Sequence, residues 1–436
     1  MLHRIVIVGG GAGGLELATQ LGDRLGRSKR ADITLVDRNR THIWKPLLHE
    51  IAAGSMDLDL HELEYLAQAR WHHFQFKLGS LEAIDRQAKQ IRLSPIYDED
   101  GALLADSRLI PYDSLVLAIG SVSNDFGTPG VAEHCISLDS KTDAERFHRR
   151  LINNCIRAQS QSHPIEPGQL SVVIVGAGAT GVELAAELHR TIREIASYGF
   201  DQIDPSRHLE ITIVEAAPRI LPHLPERLSQ SALRLLEDLG VIVHAGERVT
   251  QVTEQGVHTK TGRFIPAAVC VWAAGIKGDA VLTRLDGLEV SSQQTLRVKE
   301  TLQTTLDPNI FALGDCAACP WANGQSPTVP PRAQAAHQQA SLLVKTLTRR
   351  LKGLAPLPYR YRDFGSLVSL GQYSTVGSLM GGLHRGSLML EGMIAGLMYK
   401  SLYKMHLVAL HGWSKVLLTS IAELITRQTE PKVKLH

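Results

Sequence analysis

Two copies of one short pattern constrain this chain more than any other feature. Residues 171–187, SVVIVGAGATGVELAAE, set four apolar, mostly β-branched residues before Gly176, Gly178 and Gly181, and a helical pattern begins at Val182. Strand, glycine turn and helix together are the context a GxGxxG needs. The first glycine permits the tight turn, the second admits a pyrophosphate, and the third lets helix pack on strand. Residues 4–18, RIVIVGGGAGGLELA, repeat the pattern with Gly9, Gly11 and Gly14, and ten of fifteen positions match residues 171–185. A second pair follows in the same order: IPYDSLVLAIG at 110–120 and IPAAVCVWAAG at 265–275. Such duplication means two copies of one architecture. Two dinucleotide sites in one chain imply electron transfer between two bound dinucleotides.

The expected fold is α/β, with two Rossmann-like dinucleotide-binding domains, the second inserted into the first, and an amphipathic C-terminal segment. A length of 436 residues and 44% hydrophobic content suit two or three packed domains. A net charge of +2 gives no global reason to expect nucleic acid. Five cysteines are too few and too irregular for a disulfide scaffold. Ile5–Val8 runs directly into its glycine turn, so no secretory leader is expected, and no apolar run is long enough to span a membrane.

The strand Ile33–Val36 ends in Asp37, about twenty residues beyond the first glycines, where an acid can hold a ribose. A plain loop carboxylate is the alternative. Thr41–Ala53, THIWKPLLHEIAA, places Lys45 either near a flavin ring or in solvent beside a packed Trp44. Residues 71–93 alternate like antiparallel strands, Leu115–Ala118 returns to the first sheet, and polar Arg157–Gln169 reads as a linker. Glu215 ends the strand Ile211–Val214 but lies 34 residues after Gly181, with the excess assigned to an extended helix and loop over 191–208. Its carboxylate suits the 2′-hydroxyl of NADH, although Arg219 nearby argues the other way. NIFALGDCA at 309–317 puts Asp315 at a strand end, and Pro330-Pro331 opens a helix over Arg332–Leu351. Cys316-Ala-Ala-Cys319 reads as incidental packing, with a redox or metal role as its rival.

The tail changes character from Tyr359. Leu410, Trp413, Leu417, Ile421 and Leu424 form one helical stripe, and Lys400, Lys404, Lys415, Arg427, Lys432 and Lys434 outnumber Glu423 and Glu430. A basic amphipathic helix reads as membrane-surface binding. The competing reading packs the stripe on the body or on a second subunit.

With these residues in view, the chain resembles the type II NADH:quinone oxidoreductases, flavoproteins with two dinucleotide-binding domains. The matching stretches include HIWKPLLHE, IVEAAPRILP, FALGDCA, RAQAAHQQA and SLYKMHLVALHGW. The resemblance implies an enzyme that carries two electrons from NADH through FAD to a quinone without proton pumping. FAD would be held by Gly9, Gly11, Ala12, Gly14, Asp37, Arg38, Lys45, Ala118, Gly120, Gly314, Asp315 and Gln334. NADH would be held by Gly176, Gly178, Thr180, Gly181, Glu183, Glu215, Ala274 and Gly275. Glu183, Gln334, Gln338 and Lys45 would act in catalysis, and no metal is required. Expected boundaries are 1–168 with 301–358 for FAD, 169–300 for NADH, and 359–436 for membrane association. The expected place is the cytoplasmic face of the inner (plasma) membrane, held peripherally at the lipid surface, with a homodimer left open. Rival readings are a sulfide:quinone oxidoreductase, a soluble ferredoxin or disulfide reductase, and a redox-sensing binding protein.

Overall fold

The computed structural model describes residues 2–56, 61–322, 324, 326–370, 374–380, 387–391, 393–426 and 433. In chain order the framework is β1 (His3–Val8), α1 (Ala12–Leu21), β2 (Ala31–Asp37), α2 (Leu48–Ala53), β3 (Gln75–Leu78), β4 (Ser114–Leu117), β5 (Cys135–Ser137) and α3 (Lys141–Ser160). It continues with β6 (Leu170–Val175), α4 (Ala179–Ser197), β7 (Leu209–Glu215), β8 (Ile242–Ala245), β9 (Val269–Trp272) and β10 (Ile310–Ala312). Helices α5 (Ala333–Arg350), α6 (Met393–His411) and α7 (Trp413–Thr426) follow.

Two compact units emerge. The first comprises Met1–Trp44, His61–Val122 and Lys277–Arg362; the second comprises Lys45–Leu60, Ser123–Ile276 and Asp363–His436. The first unit holds a five-stranded parallel sheet in the order β10-β4-β1-β2-β3. The second holds β5-β9-β6-β7-β8, in which β9-β6-β7-β8 repeat the order β4-β1-β2-β3, while the fifth strand follows the others in the chain in the first unit and precedes them in the second. Each central strand is buried along most of its length, as a sheet covered on both faces requires. Each unit also carries a three-stranded antiparallel sheet between its outer strand and its fourth strand: Leu81–Asp85, Gln90–Leu93 and Arg108–Pro111 in the first, and Val249–Thr253, Gly256–Thr259 and Phe264–Pro266 in the second. The duplication seen in the sequence therefore extends to four strands of each parallel sheet and to the antiparallel sheet inserted among them.

The glycine loops show why only glycine serves. Gly9 and Gly176 adopt φ of 104° and 108°, which side chains rarely tolerate. A Cβ on Gly14 would lie 1.8 Å from the Gly9 carbonyl oxygen, and one on Gly181 would lie 2.0 Å from that of Gly176.

Three expectations change. Residues 71–93 are not all antiparallel: a helix covers Tyr65–Trp71, and β3 is a parallel edge strand of the main sheet, so alternation there reflects one covered and one open face. The linker is shorter than expected, because α3 runs through Ser160, with Cys155 and Ala158 buried beneath its polar residues. The apolar stripe does not lie on one helix. Gly412 at φ 77° ends α6 before α7 begins, so Leu410 is buried at 1% exposure while Trp413, Leu417 and Ile421 are 78%, 63% and 48% exposed. Arg427, Glu430, Lys432 and Lys434 lie outside the described residues, as do the side chains of Lys400, Glu423 and Leu424. Among the described residues, no helix is long and apolar enough to cross a membrane.

Candidate active site

In the first unit the glycine loop is locked from below by a carboxylate. The Gly10 N–H donates to Asp37 Oδ2 at 2.6 Å, while Asp37 Oδ1 accepts from Asn39 N at 2.8 Å and Asn39 Nδ2 at 3.1 Å. Burial raises the Asp37 pKa, and these hydrogen bonds pull it back down. The Gly10 carbonyl accepts from the Tyr65 hydroxyl at 2.8 Å and sits 2.8 Å from His42 Nδ1. Burial pushes His42 down to about 4, so it is neutral, and its carbonyl partner assigns the proton to Nδ1. Tyr65 also covers Gly10 so closely that a Cβ there would lie 2.4 Å from its ring. Tyr65 carried no sequence signal, and His42 stood only as the first residue of HIWKPLLHE, with no role attached.

Beyond this lock the loop faces open space. Gly11 caps α1, a Cβ on it would meet nothing within 4 Å, and the first turn of the helix carries no acid. The N–H groups of Ala12, Gly13 and Gly14 lie in the first turn, ahead of the Leu15 N–H bond to the Gly11 carbonyl, and are the donors that a pyrophosphate needs. Arg38 follows Asp37 on the surface, and Gly120 leaves open space at φ 73°. Ala118 donates its N–H to the Val8 carbonyl at 2.7 Å and closes the back of the Gly9 turn.

The Gly314-Asp315 turn joins the same unit. Ser121 Oγ donates to Asp315 Oδ2 at 2.9 Å, and the Gly314 N–H donates to Gln339 Oε1 at 2.7 Å. Gln339 is 1% exposed and was missed; it is the third glutamine in RAQAAHQQA and the one that faces inward. Gln334 lies in the first turn of α5. Gln338 is tied to Arg362, donating from Nε2 to the carbonyl at 2.8 Å and accepting the N–H at 3.0 Å, which leaves one amide hydrogen for a ligand.

The second unit repeats the lock with other residues. Glu215 Oε2 accepts the Ala177 N–H and Oε1 the Ala217 N–H, both at 2.7 Å. Gly178 caps α4 with nothing within 4 Å of an added Cβ, and Thr180 is exposed in the first turn. Arg219 turns away into its own loop, donating to Leu224 O at 2.9 Å and Pro222 O at 2.7 Å. Its guanidinium therefore holds the 219–224 turn, which removes the argument for a 2′-phosphate. Ala274 packs on the core of this unit, and Gly275 is covered by Phe126, whose ring would lie 2.6 Å from an added Cβ.

Glu183 is 6% exposed. Its Oε1 accepts the Ser369 N–H at 3.0 Å, and its Oε2 lies 3.6 Å from His49 Nδ1. Burial pushes His49 down to about 4, so this contact joins a carboxyl to a neutral imidazole and is not an ion pair. Lys45 Nζ donates to Asp139 Oδ1 at 3.1 Å within this unit. Cys316 points its thiol at the Leu117 and Leu313 carbonyls and Cys319 at that of Pro320, and burial pushes both up to about 12. That is the environment of packed, unreactive thiols.

The comparisons agree with this geometry. The pyridine nucleotide-disulphide oxidoreductase family matches residues 3–340. The chain is 44% identical over 447 residues to a type II NADH:quinone oxidoreductase of Haemophilus influenzae, covering 100% of both. A type II NADH:quinone oxidoreductase of Staphylococcus aureus is 31% identical over 385 residues, which is 87% of this chain and 90% of that one. Among solved structures, NDH2 from Plasmodium falciparum in complex with NADH shares the fold at a TM-score of 0.81, with 18% identity and 100% coverage of both chains. The sulfide:quinone oxidoreductase of Aquifex aeolicus reaches 0.69 at 18% identity, over 94% of this chain and 92% of that one. On the family match and the full-length relative together, this chain belongs to the pyridine nucleotide-disulphide oxidoreductases and, among them, to the type II NADH:quinone oxidoreductases.

Proposed function

We propose that this chain takes two electrons from NADH and delivers them to a quinone at a membrane surface, without moving charge across the membrane. The observation that carries the reading is the doubled lock: Asp37 on the Gly10 N–H and Glu215 on the Ala177 N–H, each below an open helix N-terminus. The first site fits FAD, which when bound supplies the two-electron carrier between the substrates. There the first turn of α1 would hold the pyrophosphate, Asp37 the adenosine ribose, and Asp315 the ribityl and phosphate portion. At the second site the first turn of α4 would hold the NADH pyrophosphate, and Glu215 would accept hydrogen bonds from its ribose diol and repel a 2′-phosphate.

The remaining residues orient and handle protons. Gln334 and Gln338 stand four apart on one face of α5 and would donate to quinone oxygens as charge develops there. Glu183 would stand where nicotinamide meets flavin, its carboxyl held by Ser369 and a neutral His49. Lys45, steadied by Asp139, would present a cation to the flavin side. The exposed apolar side of α7 would rest on lipid at the cytoplasmic face.

A sulfide:quinone oxidoreductase shares the fold but needs reactive flavin-side thiols, whereas Cys316 and Cys319, the two cysteines in the unit of the first glycine loop, are buried with their thiols turned to backbone carbonyls. NADH oxidation by the FAD-loaded protein, with and without a water-soluble quinone and against sulfide as donor, tests the assignment. Quinone-dependent NADH oxidation is expected; sulfide serving as the better donor overturns it.

A further inference from the structure

Cys135 and Cys270 are opposite partners in neighbouring strands β5 and β9, and their sulfurs lie 3.1 Å apart. Neither belongs to the sites above. Paired residues on adjacent strands have Cα atoms about 4.8 Å apart, inside the span of about 4.4–6.8 Å that a disulfide bridges. Both side chains are buried, at 5% and 4% exposure. Cys135 nevertheless lines a cavity of about 250 Å³, together with Ser123, Asp125, Asp143, Arg146 and Trp272, whereas Cys270 does not line it. Arg146 frames that wall by donating to the Cys135 carbonyl at 3.3 Å.

We propose that Cys135 and Cys270 form a dithiol oxidation site, in which a small hydroperoxide enters the cavity, oxidises Cys135, and Cys270 closes a reversible disulfide. The Cys135 sulfur attacks one peroxide oxygen and gives up its proton. The O–O bond breaks, the second oxygen leaves and takes up a proton as water, and Cys135 becomes a sulfenic acid. The Cys270 sulfur then attacks the Cys135 sulfur, its proton passes to the departing hydroxyl, and a second water leaves. In balance, two thiols lose two electrons and two protons, and one hydrogen peroxide becomes two waters. The contact with Cys135 and burial hold the Cys270 thiol well above its usual range, which suits a residue that acts second. The other cysteines have no such partner geometry: Cys155, Cys316 and Cys319 are buried, and the thiols of Cys316 and Cys319 point at backbone carbonyls.

The test treats the full-length, FAD-loaded protein with hydrogen peroxide, alkylates it under denaturing conditions and maps it by mass spectrometry. The expected result is loss of two of the five alkylatable thiols, a linked Cys135–Cys270 peptide, and recovery of all five after dithiothreitol. Cys270→Ser should leave a Cys135 sulfenic acid that a 1,3-diketone captures, and Cys135→Ser should leave Cys270 unoxidised. A linked Cys316–Cys319 peptide in place of Cys135–Cys270, no linked peptide, or no diketone adduct in Cys270→Ser overturns the proposal. The wild-type arm decides even if either variant fails to fold.

Discussion

Glu215 reaches the Ala177 N–H at 2.7 Å across 38 residues, and Asp37 reaches the Gly10 N–H at 2.6 Å across 27. Strand register explains why the different spacing does not matter. Val8 pairs with Val36 and Val175 with Val214, so the next residue of each second strand ends level with its glycine loop. The extra residues in the second copy lie in the longer α4 and the short helix Pro205–His208, away from that register.

Cofactor choice follows from this. A hydrogen bond to a charged group contributes about 1.5–3 kcal/mol, or roughly 10–100-fold. Glu215→Ala should therefore lower kcat/KM for NADH by about that factor and narrow the NADH/NADPH ratio. Because Arg219 is engaged at 222–224, NADPH should not become the preferred donor. An unchanged ratio in steady-state assays would remove Glu215 from this role.

The cover over Gly10 makes a second expectation. Tyr65→Phe removes one hydrogen bond to the Gly10 carbonyl, a loss of about 1 kcal/mol, and FAD should dissociate roughly fivefold more readily. Gly10→Ala should be far worse, since its Cβ meets the Tyr65 ring at 2.4 Å. Flavin fluorescence released on dilution measures both, and equal retention by all three proteins would show that the cover does not support the site.

Glu16 and Glu183 occupy the same position in the two repeats, and each faces a histidine: Glu16 lies 2.6 Å from His337 Nδ1, and Glu183 lies 3.6 Å from His49 Nδ1. The two pairs behave oppositely. His337 is raised, chiefly by its hydrogen bond to Glu16, while burial lowers His49. A raised folded pKa means that the His337 contribution is complete below the free value of about 6.5 and is lost as pH climbs through the folded value. His337→Gln should therefore cost stability at about pH 5.5 and little at about pH 9. Since the His337 side chain is 53% exposed, the effect should be modest. Urea midpoints across that range check it, and a pH-independent difference would rule out the charged pair.

How much of this was legible in the sequence depended on whether a residue acts locally. Gly9, Gly14 and the valine runs announce themselves because backbone sterics and burial on both sheet faces restrict the residue type at each position. Tyr65, His42, Ser121 and Gln339 do not. Each makes a hydrogen bond to a residue 25 or more positions away, and an ordinary Tyr, His, Ser or Gln gives no periodic trace of that. The stripe through Leu410 and Trp413 is broken for a related reason: helical spacing continues through Gly412 in the sequence, but the helix does not.

Gln334 and Gln338 should act on the quinone half of the cycle. In stopped flow, Gln334→Leu should leave reduction of the enzyme by NADH fast and slow its reoxidation by quinone. Gln338→Leu should do the same and also lose both bonds to Arg362, so its melting temperature should fall as well. Slowed reduction by NADH with normal reoxidation would place both amides away from the quinone.

The last expectation concerns α7. Trp413, Leu417, Leu418 and Ile421 are 78%, 68% or less exposed but none below 48%, and a face this apolar on one short helix needs a partner. If lipid is that partner, each side chain contributes roughly 1.5–3 kcal/mol on entering the interface, and loss of one weakens partitioning at least tenfold. The triple variant Trp413→Glu, Leu417→Glu, Ile421→Glu should then fail to sediment with anionic liposomes. Because these positions are exposed, it should keep its melting temperature, its FAD and its turnover with NADH and a water-soluble quinone. High salt should release the wild type only in part, since it screens the lysines and leaves the apolar contact intact. Unchanged sedimentation of the triple variant would show that α7 is not the anchor, and loss of FAD or of folding would show that this face packs on protein instead.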